Sequence, residues 1–204
     1  METGFSLKEA AAIAGVSEPV VRKAIESRAL RPRRIMVGRA PRYRFAVREM
    51  LYLKLLAEMP LALDEEDKAD LRALVERRRD RTGRWTAEGG DYVVRAGDVT
   101  LRVEIRPLRS ALAQSLLTFR RGRRRIVSDP AVLSGEPVFE GTRIPLAHIA
   151  GLVAKGVPSE EIVEDYPALD RDDLAYAALH SRIKRDPGRP RRPLHIDVGG
   201  AAPA

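Results

Sequence analysis

Cysteine is absent from this 204-residue sequence. That excludes a disulfide framework, a thiolate metal site and a cysteine nucleophile. Histidine is scarce as well: His148, His180 and His195 are the only three, too few and too scattered to suggest a zinc site. No apolar run is long enough to cross a bilayer as a helix. Nothing near the N-terminus has the form of a secretory leader, because Met1-Glu2-Thr3-Gly4 runs straight into an amphipathic pattern. A cytoplasmic protein with no metal and no cofactor is the expectation.

What is present is arginine. It outnumbers lysine 31 to 6, and the net charge is +8. The charge is unevenly spread. Residues 1–57 hold 12 Lys+Arg against 5 Asp+Glu, or +7; residues 58–122 hold 13 against 12, or +1; residues 123–204 hold 12 against 12. A compositional bias toward arginine acts on all three segments, so it does not create the asymmetry. Local positive charge attracts phosphate backbones. At 44% hydrophobic residues, the chain has enough apolar material for real cores.

The basic segment opens with a helix start. Ser6 and Glu9 have capping-box spacing, with Phe5 at the staple position before them. Leu7, Ala10, Ala11 and Ala14 form one apolar face, Gly15 ends the helix, and Val16 plugs the turn. Ser17 is the expected cap of a second helix with Pro19 in its first turn. On that helix Val21, Ala24 and Ile25 face inward, while Glu18, Arg22, Lys23 and Glu26 face mostly out. Two short helices joined by Gly-Val-Ser have the form of a DNA-reading helix-turn-helix. A wing follows, with strands Arg34–Val37 and Arg42–Phe45 around a turn at Gly38-Arg39-Ala40-Pro41. Val47 to Leu56 reads as a third, largely buried helix ended by Pro60.

This segment resembles the MerR and excisionase group of winged helix-turn-helix domains. The resemblance rests on Ser6-Leu7-Lys8-Glu9-Ala10-Ala11, Gly15-Val16-Ser17, Val20-Val21-Arg22, Leu30 and Tyr43-Arg44-Phe45. It implies that Arg22 and Lys23 touch DNA from the recognition helix and that wing arginines Arg39, Arg42 and Arg44 hold phosphate. Ala24 stands where the group often has a large aromatic, and Arg28 where glycine is common, which implies a different exit from the helix.

In the middle, Asp64 to Arg79 reads as a helix with acids early and Arg77-Arg78-Arg79 late, as the helix dipole favours. Asp91 to Ile105 reads as a hairpin turning at Ala96-Gly97-Asp98, with one wet face. Trp85 is expected to pack against it. Leu108, Ala111, Leu112, Ser115, Leu116 and Phe119 recur at helical spacing. Such a stripe is usually core, and it is also the candidate seam of a homodimer. Arg120 to Arg125 reads as a basic linker.

Beyond Arg125 the chemistry changes. Residues 126–185 hold 6 Lys+Arg and 10 Asp+Glu, a net −4. In Gly141-Thr142-Arg143-Ile144-Pro145, glycine permits a tight turn, Thr142 can cap the next helix, and Pro145 suits its first turn. Three helices are expected over Pro145–Lys155, Ser159–Asp165 and Asp170–Arg185, with Ser159 and Asp170 as caps. Glu160, Glu161, Asp172 and Asp173 suggest catalytic carboxylate pairs at first sight, but acids in first helical turns are stabilised by the dipole, so a structural role is favoured.

This region resembles the bacterial family called domain of unknown function four-three-three. The matching elements are Arg125-Ile126 with Asp129-Pro130, Gly135-Glu136-Pro137-Val138, Gly141 to Pro145, Gly156, Glu160-Glu161-Ile162, Tyr166-Pro167-Ala168-Leu169, and Asp172-Asp173-Leu174 with Ala177-Ala178-Leu179. The resemblance implies an antitoxin of the VapB type, paired with a toxin of PIN-like nuclease fold.

The expected fold is mainly α with small β elements: a winged helix-turn-helix over 1–57, a central hairpin plus helix over 58–122 that includes the candidate dimer contact, a trihelical module over 123–185, and a disordered tail over 186–204. The expected function is an antitoxin that binds operator DNA and neutralises a PIN-like ribonuclease. Its toxin-facing candidates are Arg143 and the tail's Arg189, Arg191 and Arg192, which can pair with nuclease carboxylates. The apolar run Leu194–Val198 can add to a partner's sheet edge. The rival readings are a MerR-like regulator whose C-terminal half senses a ligand, and a nuclease. Lack of cysteine, scattered histidines and no convincing carboxylate cluster argue against an enzyme.

Overall fold

The apolar stripe from Leu108 to Phe119 becomes one face of a 20-residue helix, α5 (Ile105–Arg124), in a computed structural model that describes residues 4–59, 63–76, 81–96 and 98–184. The stripe packs against α1 (Leu7–Ala14), α3 (Val47–Glu58) and α8 (Arg171–Lys184) of the same chain. Leu108, Leu112, Leu116 and Phe119 are all buried there. The stripe is therefore internal core, and the idea that it is a dimer seam is corrected: its apolar area is already used. Ala111 lies off the stripe and is exposed. The basic run after it is no linker either, because Arg120 to Arg124 complete α5. Gly122 sits where α8 crosses, and a Cβ there would overlap Cβ and Cγ of Tyr176. Glycine at this point is what lets the two helices touch.

At the N-terminus the capping box forms as expected. Ser6 N donates to Glu9 Oε2 at 2.8 Å and Glu9 N donates to Ser6 Oγ at 3.3 Å. The second helix, α2 (Glu18–Glu26), starts after Ser17 with a proline in its first turn, but the Ser17 side chain makes no cap bond. Arg28 ends that region with φ +60, a left-handed conformation that suits glycine better. The wing is a two-stranded antiparallel hairpin, β1 (Arg33–Val37) and β2 (Ala40–Arg44). Its turn is narrower than the sequence suggested: Gly38-Arg39 alone connect the strands, and Pro41 lies inside β2 opposite Met36. Phe5 and Phe45 exchange backbone hydrogen bonds of 3.0 and 2.8 Å, which ties the wing to the start of α1. In α3, Glu49 accepts from Ala46 N at 2.6 Å. Val47, expected on the buried face, is exposed.

The middle holds α4 (Glu65–Val75), capped by Asp64, whose Oδ1 accepts from Asp67 N at 2.7 Å. Arg77–Arg79 lie outside the described residues. An antiparallel four-stranded sheet follows: β3 (Arg81–Thr82), β4 (Trp85–Glu88), β5 (Asp91–Ala96) and β6 (Val99–Val103). The sequence revealed only the last hairpin. Buried Trp85 belongs to this sheet, and its Nε1 donates to Asp67 Oδ1 at 2.9 Å. Ile105 leaves the strand pattern early and starts α5.

The C-terminal part pairs β7 (Ile126–Val127) with β8 (Val138–Phe139), then runs through α6 (Leu146–Ala154), α7 (Ser159–Asp165) and α8. The three helices fall where their apolar spacing put them. Two caps do not. Thr142 Oγ1 donates to Phe139 O at 2.8 Å and accepts from Ile144 N at 3.0 Å, so it braces its own loop and Pro145 takes the cap position. Ser159 is the first helical residue, and Pro158 precedes it as the cap. Asp170 does cap α8, accepting from Asp173 N at 2.8 Å. The fold is thus mainly α with small sheets.

Candidate nucleic-acid interface

Burial of Val21 and Ala24 turns the opposite side of α2 outward, and both Arg22 and Lys23 are exposed there. Arg22 Nη2 lies 3.4 Å from Glu18 Oε2, one turn back on the same helix. An exposed pair of this kind contributes little, so it does not withdraw Arg22 from an outside partner. The wing brings a second set of cations. Arg42 is exposed on β2, Arg44 is half-buried beside it, and Arg39 sits at the exposed turn.

An open groove of about 560 Å³ runs between the start of α1, the outer side of α2, β2 and the last turn of α8. Its walls bring Arg22, Arg42 and Arg44 together with Lys8, facing Glu9 and Glu26. Three of the five expected DNA-facing cations meet there. Lys23 and Arg39 do not line it. Two of the wall residues that were not expected to face DNA are Lys8 and Ile183. Lys8 carried a signal, since it stands in the first turn of a basic segment's first helix. Ile183 carried none, because only the tertiary fold brings α8 to the winged helix. A further link across the same region is Arg123 Nη1, 3.8 Å from Glu9 Oε1.

The C-terminal carboxylates are arranged otherwise. Asp173 is 2% exposed and receives Arg125 through two nitrogens, at 3.0 and 3.3 Å. That hydrogen bonding and the negative charge of Asp173 push the Arg125 guanidinium pKa still higher than usual. Asp172 pairs with Arg121 at 3.2 Å. The buried Asp173 fastens α8 to the end of α5, whereas the Arg121–Asp172 pair lies at the surface and contributes little. Glu160 and Glu161 are exposed in the first turn of α7. Among the described residues no group of three or more His, Cys, Asp or Glu is placed to hold a metal. Arg143 is exposed on the loop that Thr142 braces. Arg189, Arg191, Arg192 and the Leu194–Val198 run lie outside the described residues.

Residues 126–180 match the family model described as Protein of unknown function (DUF433). The match takes in β7, β8, α6, α7 and most of α8, while the winged helix-turn-helix and the central sheet lie outside it. A protein of Sinorhizobium fredii (strain NBRC 101917 / NGR234), described as uncharacterized protein y4eO, is 30% identical over 98 residues. That alignment covers 48% of this chain and 43% of the relative, so the chain spans less than half of that protein's length. No solved structure matches the chain. Among the described residues no helix is long and apolar enough to cross a membrane.

Proposed function

We propose that this chain is the non-catalytic antitoxin of a type II toxin–antitoxin pair. Its winged helix-turn-helix binds operator DNA as an autoregulator, and its C-terminal module binds and neutralises a PIN-like ribonuclease. The observation that carries the DNA half is the convergence of Arg22, Arg42 and Arg44 on one open groove beside α2. Helix and wing then hold the duplex together, with α2 toward base edges and the wing toward phosphate.

Support for the second half comes from what the resemblance of residues 126–182 implies and from charge. The module is net −4, and its boundary cations Arg121 and Arg125 are already paired to Asp172 and Asp173. Its exposed face therefore suits a protein better than a phosphate backbone. Exposed Arg143 is the candidate to enter the nuclease's carboxylate cluster. A homodimer on a palindromic operator, as a single helix-turn-helix commonly needs, would use a surface other than the α5 stripe.

Two measurements test the halves separately. In gel shifts on DNA from upstream of its own gene, Arg22→Ala and Lys23→Ala should each cost ~1–3 kcal/mol if they make bidentate base contacts. Full retention by both variants would sink the DNA reading. Co-purification with the neighbouring gene product, followed by an RNase assay, tests neutralisation; a folded chain that neither binds nor inhibits that product would sink it.

A further inference from the structure

We propose that the DNA surface continues past the start of α1 onto α5, where Arg120 and Arg123 hold backbone phosphate. The proposal rests on the DNA reading of the winged helix-turn-helix given above. Its first observation is a contact. Glu9 lines the cationic groove. Its Oε2 accepts from Ser6 N at 2.8 Å, and its Oε1 faces Arg123 Nη1 at 3.8 Å. The end of α5 therefore adjoins the groove at the first turn of α1, beside Lys8. In a helix-turn-helix the first helix crosses the DNA backbone, so phosphate passes that turn. A carboxylate there repels phosphate, and Arg123 offsets it. The 3.8 Å pair is longer than a charge-assisted hydrogen bond, and the Arg123 side chain is 63% exposed. Its guanidinium keeps its donors for an outside acceptor.

The second observation is the charge of α5. From Ile105 to Arg124 it carries six arginines and no acid. Two structural causes account for some of them. Arg121 is paired to Asp172, and the helix dipole favours the cations of the last turn, Arg121, Arg123 and Arg124. Neither cause accounts for Arg120. It stands before the last turn, it is exposed, and among the described residues it has no ion pair. Arg120 and Arg123 are three residues apart on one helix, so they share a side of it. Like charges on this side and in the groove repel each other, and a polyanion lying across both relieves that repulsion. Duplex DNA is that polyanion, because the groove already faces it on the reading above. Arg106 and Arg109 supply an internal comparison. They belong to the same helix, but with a rise of about 1.5 Å per residue Arg109 lies about 16 Å from Arg120 along the axis.

The probe is a random-sequence duplex of about three helical turns, followed by fluorescence anisotropy from about 50 to 200 mM salt. Full-length protein is compared with full-length Arg120→Gln/Arg123→Gln, Arg106→Gln/Arg109→Gln and Arg22→Ala/Arg42→Ala. Each phosphate contact contributes about 0.9 to the slope of log Kobs against log salt, so Arg120→Gln/Arg123→Gln should be shallower by about 1–2. Arg106→Gln/Arg109→Gln removes the same charge from the same helix and should leave the slope as it was. Arg120→Lys/Arg123→Lys keeps the charge and should restore the slope, which separates phosphate contact from damage to the fold. An unchanged slope in Arg120→Gln/Arg123→Gln overturns the α5 contact. So does an equal loss in both glutamine pairs, which is an effect of total charge, or a lysine pair that fails to restore the slope. Loss in the groove variant alone overturns the α5 contact and leaves the winged-helix reading standing. Loss in Arg120→Gln/Arg123→Gln alone supports the α5 contact and overturns the winged-helix reading, and loss in neither overturns both.

Discussion

The two ends of this chain use arginine in opposite ways. At the N-terminal end Arg22, Arg39 and Arg42 are exposed, and the one ion pair formed by Arg22 is a weak one within its own helix. At the C-terminal end Arg121 on α5 and Arg125 just past it reach α8 and pair with Asp172 and Asp173. The contrast follows from the supply of acids. Residues 1–57 have 5 acids for 12 bases, whereas residues 126–185 have 10 acids for 6 bases. Where cations are in surplus, they stay available for a polyanion. Where acids are in surplus, Arg125 is drawn onto the buried Asp173 and joins one helix end to another, while Arg121 meets Asp172 at the surface.

The largest effect should come from the α5–α8 crossing, which joins the two ends. Gly122→Val would drive a branched side chain into Tyr176, whose ring also leans on Phe119 with centroids 6.0 Å apart. Overpacking against a buried ring should cost about 3 kcal/mol. Urea denaturation reads it directly. An unchanged midpoint would show that the crossing does not hold the fold.

Next is the paired arginine itself, where the two partners are unequal. Asp173 is 2% exposed and the Arg125 side chain is 42% exposed. Arg125→Met strands a buried carboxylate and should cost about 3 kcal/mol at neutral pH. Asp173→Asn leaves an arginine that water can reach, and should cost only about 1–2 kcal/mol. Equal losses for the two variants would contradict this. Arg22→Ala and Arg42→Ala, by contrast, should leave stability within about 0.5 kcal/mol.

Sequence patterns located the helices of both ends because each signal there is local. The Ser6–Glu9 box, the spacing of Leu146, Ile149, Leu152 and Val153, and the Asp170 cap involve residues within a turn or two of one another. Thr142 and Ser159 were misassigned as caps because the prolines that follow or precede them take the cap position. Strands β3 and β4 were missed because they are short and rich in polar residues; Trp85 was expected beside the sheet, but its bond to Asp67, 18 residues away, is not a local signal. The groove was half legible. Its arginines could be named from the motif and the wing. The closing of one wall by Ile183, and the use of the α5 stripe as internal core, depend on α8 folding back over α1 and α5. No local pattern encodes that return.

The smallest expected effect concerns Arg28, where the sequence departs from its winged-helix resemblance and the backbone does not. Its φ is +60, so the chain takes the left-handed exit that glycine usually provides. For a residue with a Cβ this conformation costs about 1–2 kcal/mol. Arg28 still contributes through its carbonyl, which accepts from Arg72 Nη1 at 3.0 Å and ties the exit of α2 to α4. Its side chain is exposed. Arg28→Gly keeps that carbonyl and removes the Cβ, but it also adds freedom to the unfolded chain worth about 0.4–1 kcal/mol. The net should be a gain of about 0.5 kcal/mol, visible as a slightly higher melting midpoint. DNA affinity should stay close to the original if Arg28 serves only the turn. A fall in affinity with the stability gain intact would show instead that the strained backbone is kept to aim this side chain at phosphate, which would add Arg28 to the cationic face of the N-terminal end.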